Sequence, residues 1–272
     1  MPLILVPYIS RTIGIERYGI TEFSVEIAMF FGAILLFGYD FTMSKKLSQN
    51  RYDKNFVNAL FWNVFYSRIL LSSIVLPAFA LMGMFFLSDL FTLEILGYCS
   101  LFVASRIFSS WWFFQGLERI KWIAWGNLLA KIVLLIFVLS LVREKDDYSL
   151  VVLGYAVSQF TVNLLSWIIL IKQEELKSIQ LRIKAIFSLI NSSIYIFLNE
   201  FSIMGFTALN LLLVKEYLSP KDLGIYVSAM KVVVISQNLI RRSLSKSLFP
   251  NLSLAYVKNP ENFRLQLRQF RN

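Results

Sequence analysis

Arg68, Arg106, Lys131 and Lys231 each stand well inside a long apolar run, as do Glu26, Glu200 and, nearer the end of its run, Asp40. At the centre of a bilayer an ionised side chain costs about 2.5–3.5 kcal/mol on insertion scales, so such residues face a cavity or a partner. Two chemistries are open to this set. The carboxylates and cations can pair as interhelical salt bridges, leaving one of the four basic groups over. Alternatively, the four cations converge from separate helices on a partly wetted cleft and hold an anion such as a pyrophosphate. Glu26, Asp40 and Glu200 would then serve ion pairing or a coupling ion. Glu22 and Glu94 open their runs and are expected to reach water.

Other chemistries are disfavoured by what the chain lacks. It has no histidine, and its single Cys99 lies in an apolar run and has no second cysteine for an intramolecular disulfide. Metal, redox and cofactor sites are therefore not expected. No G-x-x-x-x-G-K-[ST] phosphate loop occurs, so any work would not be fuelled by nucleotide bound to this chain. The net charge of +10 does not indicate nucleic acid as a partner, because the basic residues sit in short gaps between apolar stretches rather than on one face of a soluble body.

Those stretches are the elements that must position the charges. Of 272 residues 57% are hydrophobic and 16% charged, against about a quarter charged in soluble domains. A span of about 20 apolar residues crosses the hydrocarbon core. That length predicts an all-α, polytopic transmembrane bundle of about eight helices, at 1–9 (short), 20–41, 56–86, 93–114, 122–142, 149–171, 185–214 and 223–240. The third and seventh exceed the minimum, so they are expected to tilt or to project from the bilayer. The loops alternate in charge. One side holds 17 of the 27 Lys and Arg residues and the other holds six. Retention of positive charge in the cytoplasm then places both termini there, in a plasma membrane. The opposite loops are under a dozen residues each, too short for a catalytic domain. Transport, rather than enzymatic chemistry, is what these features leave.

Several motifs resemble one family. Pro7-Tyr8-Ile9-Ser10-Arg11-Thr12-Ile13-Gly14, followed by Glu16, Tyr18 and Gly19, is similar to the P-Y-[IL]-S-R-x-[IL]-G-x-E-x-Y-G stretch that closes the first helix of O-antigen flippases of the Wzx type. Trp112-Phe113-Phe114-Gln115-Gly116-Leu117-Glu118 resembles their W-x-F-Q-G-L-E run, and Gly224-Ile225-Tyr226 and Phe249-Pro250-Asn251-Leu252-Ser253 resemble segments at the eighth helix. A plainer reading of Trp111 to Phe114 is an aromatic belt at the membrane interface. A shift of 205 residues sets Gly19-Ile20 on Gly224-Ile225 and Leu47-Ser48 on Leu252-Ser253, a weak internal repeat.

The resemblance implies a two-lobed transporter of the polysaccharide-exporter branch, with residues 1–184 as the first lobe and 185–272 as the start of the second. It implies inner-membrane transfer of an undecaprenyl-pyrophosphate-linked oligosaccharide to the periplasmic leaflet in O-antigen or capsule biosynthesis, with a polysaccharide polymerase and a chain-length regulator as partners. Arg11 falls on the family's S-R position. Against a family of twelve or more helices, the chain is expected to be a truncated form, an inactive one being among the readings. The alternatives are a cation-coupled antiporter of the same superfamily, against which the excess of basic over acidic cavity groups argues, and a membrane glycosyltransferase or polymerase.

Overall fold

The computed structural model describes residues 2–234, 236 and 237, with side chains from Leu5 onward. Among the described residues the secondary structure is helical: α1 (Pro2–Ile13), α2 (Ile15–Leu36), α3 (Tyr39–Gln49), α4 (Lys54–Phe86), α5 (Leu93–Ser105), α6 (Trp111–Gly116), α7 (Ile120–Leu141), α8 (Tyr148–Gln173), α9 (Ile183–Tyr217) and α10 (220–234). Six segments are long and apolar enough to span a bilayer: Ile15–Gln49, Lys54–Phe86, Leu93–Gly116, Ile120–Leu141, Lys145–Gln173 and Ile183–Tyr217. The protein is a polytopic helical membrane bundle. α1, at 12 residues, is about 18 Å long and falls short of a 30 Å core. The eighth expected span, 223–240, begins in α10 and runs past the described residues.

Local chemistry fixes the boundaries. Gly14, at φ +86°, breaks the chain between α1 and α2 without the Cβ penalty of another residue. α2 therefore starts five residues earlier than the hydropathy suggests. Asp53 caps α4 by accepting from the amides of Asn55 (3.0 Å) and Phe56 (3.1 Å), and Thr92 caps α5 through the Ile95 amide (3.3 Å). Such caps satisfy amides that have no intrahelical partner.

Two of the six spans are interrupted, which the sequence reading did not anticipate. The first breaks at Phe37 and Gly38, both left-handed at φ 48° and 66°. The span from Leu93 to Gly116 breaks between Ser105 and Trp111, through a 3-10 turn at Arg106–Phe108 and two buried serines, Ser109 and Ser110. Irregular backbone at membrane depth is tolerated where protein satisfies its polar groups.

The chain divides into two compact units, Met1–Ile225 and Tyr226–Asn272. In the first, one apolar core joins α3, α4 and α6 through Tyr39, Met43, Leu47, Phe61, Val64, Trp112 and Phe113, and a second joins α1, α7 and α8. Trp112, Phe113 and Phe114 are therefore core residues rather than an interfacial belt, because the short α6 folds back onto α3. α9 packs on α2, α3 and α4: Lys46 donates to Ser192 (2.8 Å), Thr42 and Ser193 share a hydrogen bond (2.6 Å), and Phe37 stacks on Phe197 (4.2 Å). Gly38 fits this seam closely, since a Cβ there would lie 2.9 Å from the Phe197 amide nitrogen. In the second unit, the described residues continue α10.

The loops sort to two ends. At one, Arg51 pairs with Glu118 (3.1 Å), Arg119 pairs with Glu174 (2.7 Å), and the Lys177 amide donates to Asn58 (2.9 Å). At the other, Arg17 pairs with Asp146 (2.6 Å), Lys215 pairs with Asp89 (3.0 Å), and Tyr8 donates to the Val142 carbonyl (2.9 Å). The basic gaps at 45–54, 119–121 and 172–184 thus gather at the first end, while the basic stretch from Arg241 to Arg271 lies outside the described residues.

Candidate functional site: two arginines beside two helix breaks

The helix breaks and the buried charges coincide. Arg68 projects from α4 with 1% of its side chain exposed. Its guanidinium donates to the Ser109 carbonyl, which the α5–α6 break leaves without an intrahelical donor, and to Asp40 Oδ1 (3.4 Å), in the first turn of α3 just after the other break. It also lies over the Tyr39 ring at 5.9 Å. One cation therefore ties both interruptions together. A pocket beside it, lined by Phe61, Ser109, Trp112 and Trp167 among others, has room for about one water molecule.

Arg106 opens the 3-10 turn of the α5–α6 break and is only partly buried. Its stem runs along α2 at Gly32, where an added Cβ would lie 3.2 Å from Arg106 Cγ. The guanidinium sits 4.8 Å from the Phe102 ring centre and makes one long hydrogen bond, Nη1 to Gln159 Oε1 at 3.5 Å. Its Nε, packed against α2 at Gly32, is buried without a partner, as is the Nε of Arg68. Guanidinium carries five N–H donors, so Arg106 retains unused capacity for an acceptor. Asp40, with a third of its side chain exposed, interacts electrostatically with both Arg68 and Arg106. The group of three carries a net positive charge.

α8 completes the α5–α6 break. Asn163, fully buried, donates to the Ser105 carbonyl (3.1 Å) and accepts from Trp111 Nε1 (3.1 Å). Gln159 and Asn163 are one turn apart on one helix face, a pairing of amides inside an apolar span that the sequence displays and the charge-based reading passed over.

A second polar group lies toward the other end of α2. Glu22 is 1% exposed, not near water, because α2 begins at Ile15 and carries it into the helix interior. It accepts from Tyr155 (3.2 Å) and lies within hydrogen-bonding reach of Tyr18, and Glu26, one turn on, interacts electrostatically with both phenols. Roughly 15 Å of helix, at 1.5 Å per residue, separates Glu22 from the level of Gly32 and Arg106.

The remaining candidates are dispersed. Arg11 is exposed on α1, Lys131 is exposed near the middle of α7, and Glu200 is partly buried on α9. None of the three makes a hydrogen bond or ion pair among the described residues. Lys231 lies on α10 in the second unit. Glu94 is exposed and accepts from Ser149 (3.0 Å). Among the described residues no group of three or more His, Cys, Asp or Glu side chains is placed to hold a metal ion. Cys99 is buried, its thiol directed at the Ser24 carbonyl.

The chain is similar to known proteins over most of its length. The chain is 20% identical over 262 residues to an Escherichia coli K12 protein that carries the name of an O-antigen transporter, covering 95% of this chain and 62% of that one. A Shigella dysenteriae protein of the same name is 21% identical over 252 residues, covering 93% and 63%. The chain thus spans about three-fifths of the length of these relatives. No solved structure matches it. Residues 1–255 match the family described as polysaccharide biosynthesis protein, and the chain belongs to that family.

Proposed function

We propose that this bundle is the first part of a transporter, not an enzyme, that moves an undecaprenyl-pyrophosphate-linked oligosaccharide across the bacterial inner membrane, and that Arg106 is the cation that meets the pyrophosphate. The observation that carries the reading is the partly exposed Arg106 guanidinium, whose terminal nitrogens make a single long bond to an uncharged amide, set at a helix break inside a chain of the polysaccharide biosynthesis family. Charge-assisted bonds from a guanidinium to phosphate oxygens are short, strong and often bidentate, and discontinuous helices are where transporters commonly place their sites. Arg68 gives its two terminal nitrogens to Ser109 and Asp40, its Nε is enclosed without a partner, and the pocket beside it is too small for a diphosphate, so it serves as a tie. The acidic group at Glu22 and Glu26 is suited to a coupling cation. Two lobes, divided near residue 184, would rock about the site.

In the longer protein of this family type, Arg106→Ala lowers export of the lipid-linked glycan by about tenfold or more, the equivalent of one charged hydrogen bond, while abundance stays near normal. Export that falls only in step with abundance would assign Arg106 a structural role. The positive end is placed in the cytoplasm. Reporter fusions after Asp53 and Ile183 then read as cytoplasmic, and a fusion after Asp146 as periplasmic. Opposite signals at two of these sites would overturn the orientation.

A further inference from the structure

Arg106 is held from three helices, and none of the three contacts is charged. From α2 comes Gly32, a buried glycine in the helix interior, where an added Cβ would lie 3.2 Å from Arg106 Cγ, 3.3 Å from its Nε and 3.8 Å from its Cδ. From α5 comes the Phe102 ring, its centre 4.8 Å from the guanidinium carbon. From α8 comes Gln159, whose amide oxygen accepts from Nη1 at 3.5 Å. Among the described residues no carboxylate forms an ion pair with Arg106, and Asp40, which acts on it electrostatically, is bonded to Arg68.

Carbon atoms pack most favourably at about 3.5–4.0 Å, so a methyl group at residue 32 would press on the arginine stem. The atoms it meets belong to a flexible side chain, so the stem would yield rather than the helices. Alanine is the better helix former, and a glycine inside α2 lowers stability unless something needs the space it leaves. The Arg106 stem fills that space. Gln159 presents its oxygen because a guanidinium has donors only, which turns its amide nitrogen toward other acceptors.

We propose that Gly32 and Gln159 are positioning residues for Arg106: a groove without a side chain and a neutral acceptor fix the guanidinium and leave its charge for an anion. The Gly32 contact stands on geometry alone, whereas its consequence for binding rests on the reading above that Arg106 meets the pyrophosphate. Binding groups work only when held within about 0.5 Å of their productive geometry, and a stem pushed aside by a methyl group carries its fork with it. Gln159→Glu would hold the guanidinium as firmly, but the new carboxylate would compete with the ligand for the same donors.

The test measures Tm and affinity for undecaprenyl pyrophosphate in detergent on the purified 272-residue protein, for Gly32→Ala, Arg106→Ala, their combination and Gln159→Glu. Gly32→Ala should raise Tm by about 3 °C in the Arg106→Ala background and by less where Arg106 is present, since only in the first is the gain in helix propensity unopposed. It should weaken binding by roughly threefold to tenfold in the otherwise wild-type protein, as misalignment of one charge-assisted bond would, and not at all in the Arg106→Ala background. A residue that merely supported the fold would move Tm and affinity together, and in both backgrounds. Equal Tm changes in the two backgrounds, or a Gly32→Ala protein that does not accumulate, overturn the contact. Wild-type affinity in Gly32→Ala, or the same loss with and without Arg106, overturns the positioning role of Gly32. Gln159→Glu should weaken binding by about tenfold without lowering Tm, and unchanged affinity overturns the role of the neutral acceptor. If Arg106→Ala binds as tightly as wild type, the pyrophosphate reading fails instead, and the Tm cycle alone decides the contact.

Discussion

Arg68 and Arg106 are the same residue type beside the same helix break, yet their surroundings differ in kind. Arg68 is almost wholly buried and gives its two terminal nitrogens to a freed carbonyl and to a carboxylate, its Nε staying enclosed. Arg106 keeps part of its surface open and has a single long bond to an uncharged amide. The difference shows how a bundle uses intramembrane charge in two ways. A cation whose partners are all protein groups holds irregular backbone in place, and a cation with spare donors is available to a ligand.

The largest expected effect breaks the comparison on the Arg68 side. Arg68→Ala leaves the buried Ser109 carbonyl without its donor and Asp40 with only Arg106 as a cation nearby, and should cost about 3 kcal/mol or more, seen as loss of folded protein in detergent and in the membrane. Adding Asp40→Asn should recover part of that loss, since the carboxylate that has lost its bonded cation is removed. A stable, abundant Arg68→Ala protein with impaired export would instead make Arg68 a ligand-binding cation like its neighbour. A smaller effect is expected at Asn163, which bridges the Ser105 carbonyl and Trp111 from the α8 side. Asn163→Leu should lower stability by about 1–3 kcal/mol, the cost of a buried polar group left without its partner. No loss of thermal stability there would mean that the break is held without the amide.

Much of the fold was legible because the physics is one-dimensional. Runs such as Lys54–Phe86 and Ile120–Leu141 are apolar over a full membrane thickness, and the basic residues of their connecting loops alternate. The breaks were not legible. Phe37-Gly38 and Ser109-Ser110 are two-residue interruptions inside apolar windows, the first carrying a large apolar side chain itself, and averaging over about 20 residues conceals them. Glu22 was misplaced for a related reason: its depth depends on where α2 starts, and that is set by one glycine, Gly14, rather than by hydropathy. Of the candidate charges, the sequence gives depth along a span but not direction around it. Arg68, Arg106 and Asp40 turn to a common point, whereas Arg11 and Lys131 are exposed on the surfaces of α1 and α7. Trp112 to Phe114 carry the same lesson in reverse, because aromatic composition fits an interface and a core equally well until the α6 turn is known.

The division of labour between the two arginines is tested most directly by lipid binding. Purified wild-type, Arg106→Ala and Arg106→Lys forms of the longer protein would be titrated with a polyprenyl pyrophosphate, with Tm followed in parallel. The account predicts that Arg106→Ala weakens binding by about tenfold to a hundredfold, the equivalent of about 1.5–3 kcal/mol for a charged hydrogen bond, while Tm stays close to wild type. Arg106→Lys should recover only part of the affinity, since an ammonium lacks the bidentate fork. Unchanged affinity in Arg106→Ala, or a fall in Tm comparable to that of Arg68→Ala, would contradict it.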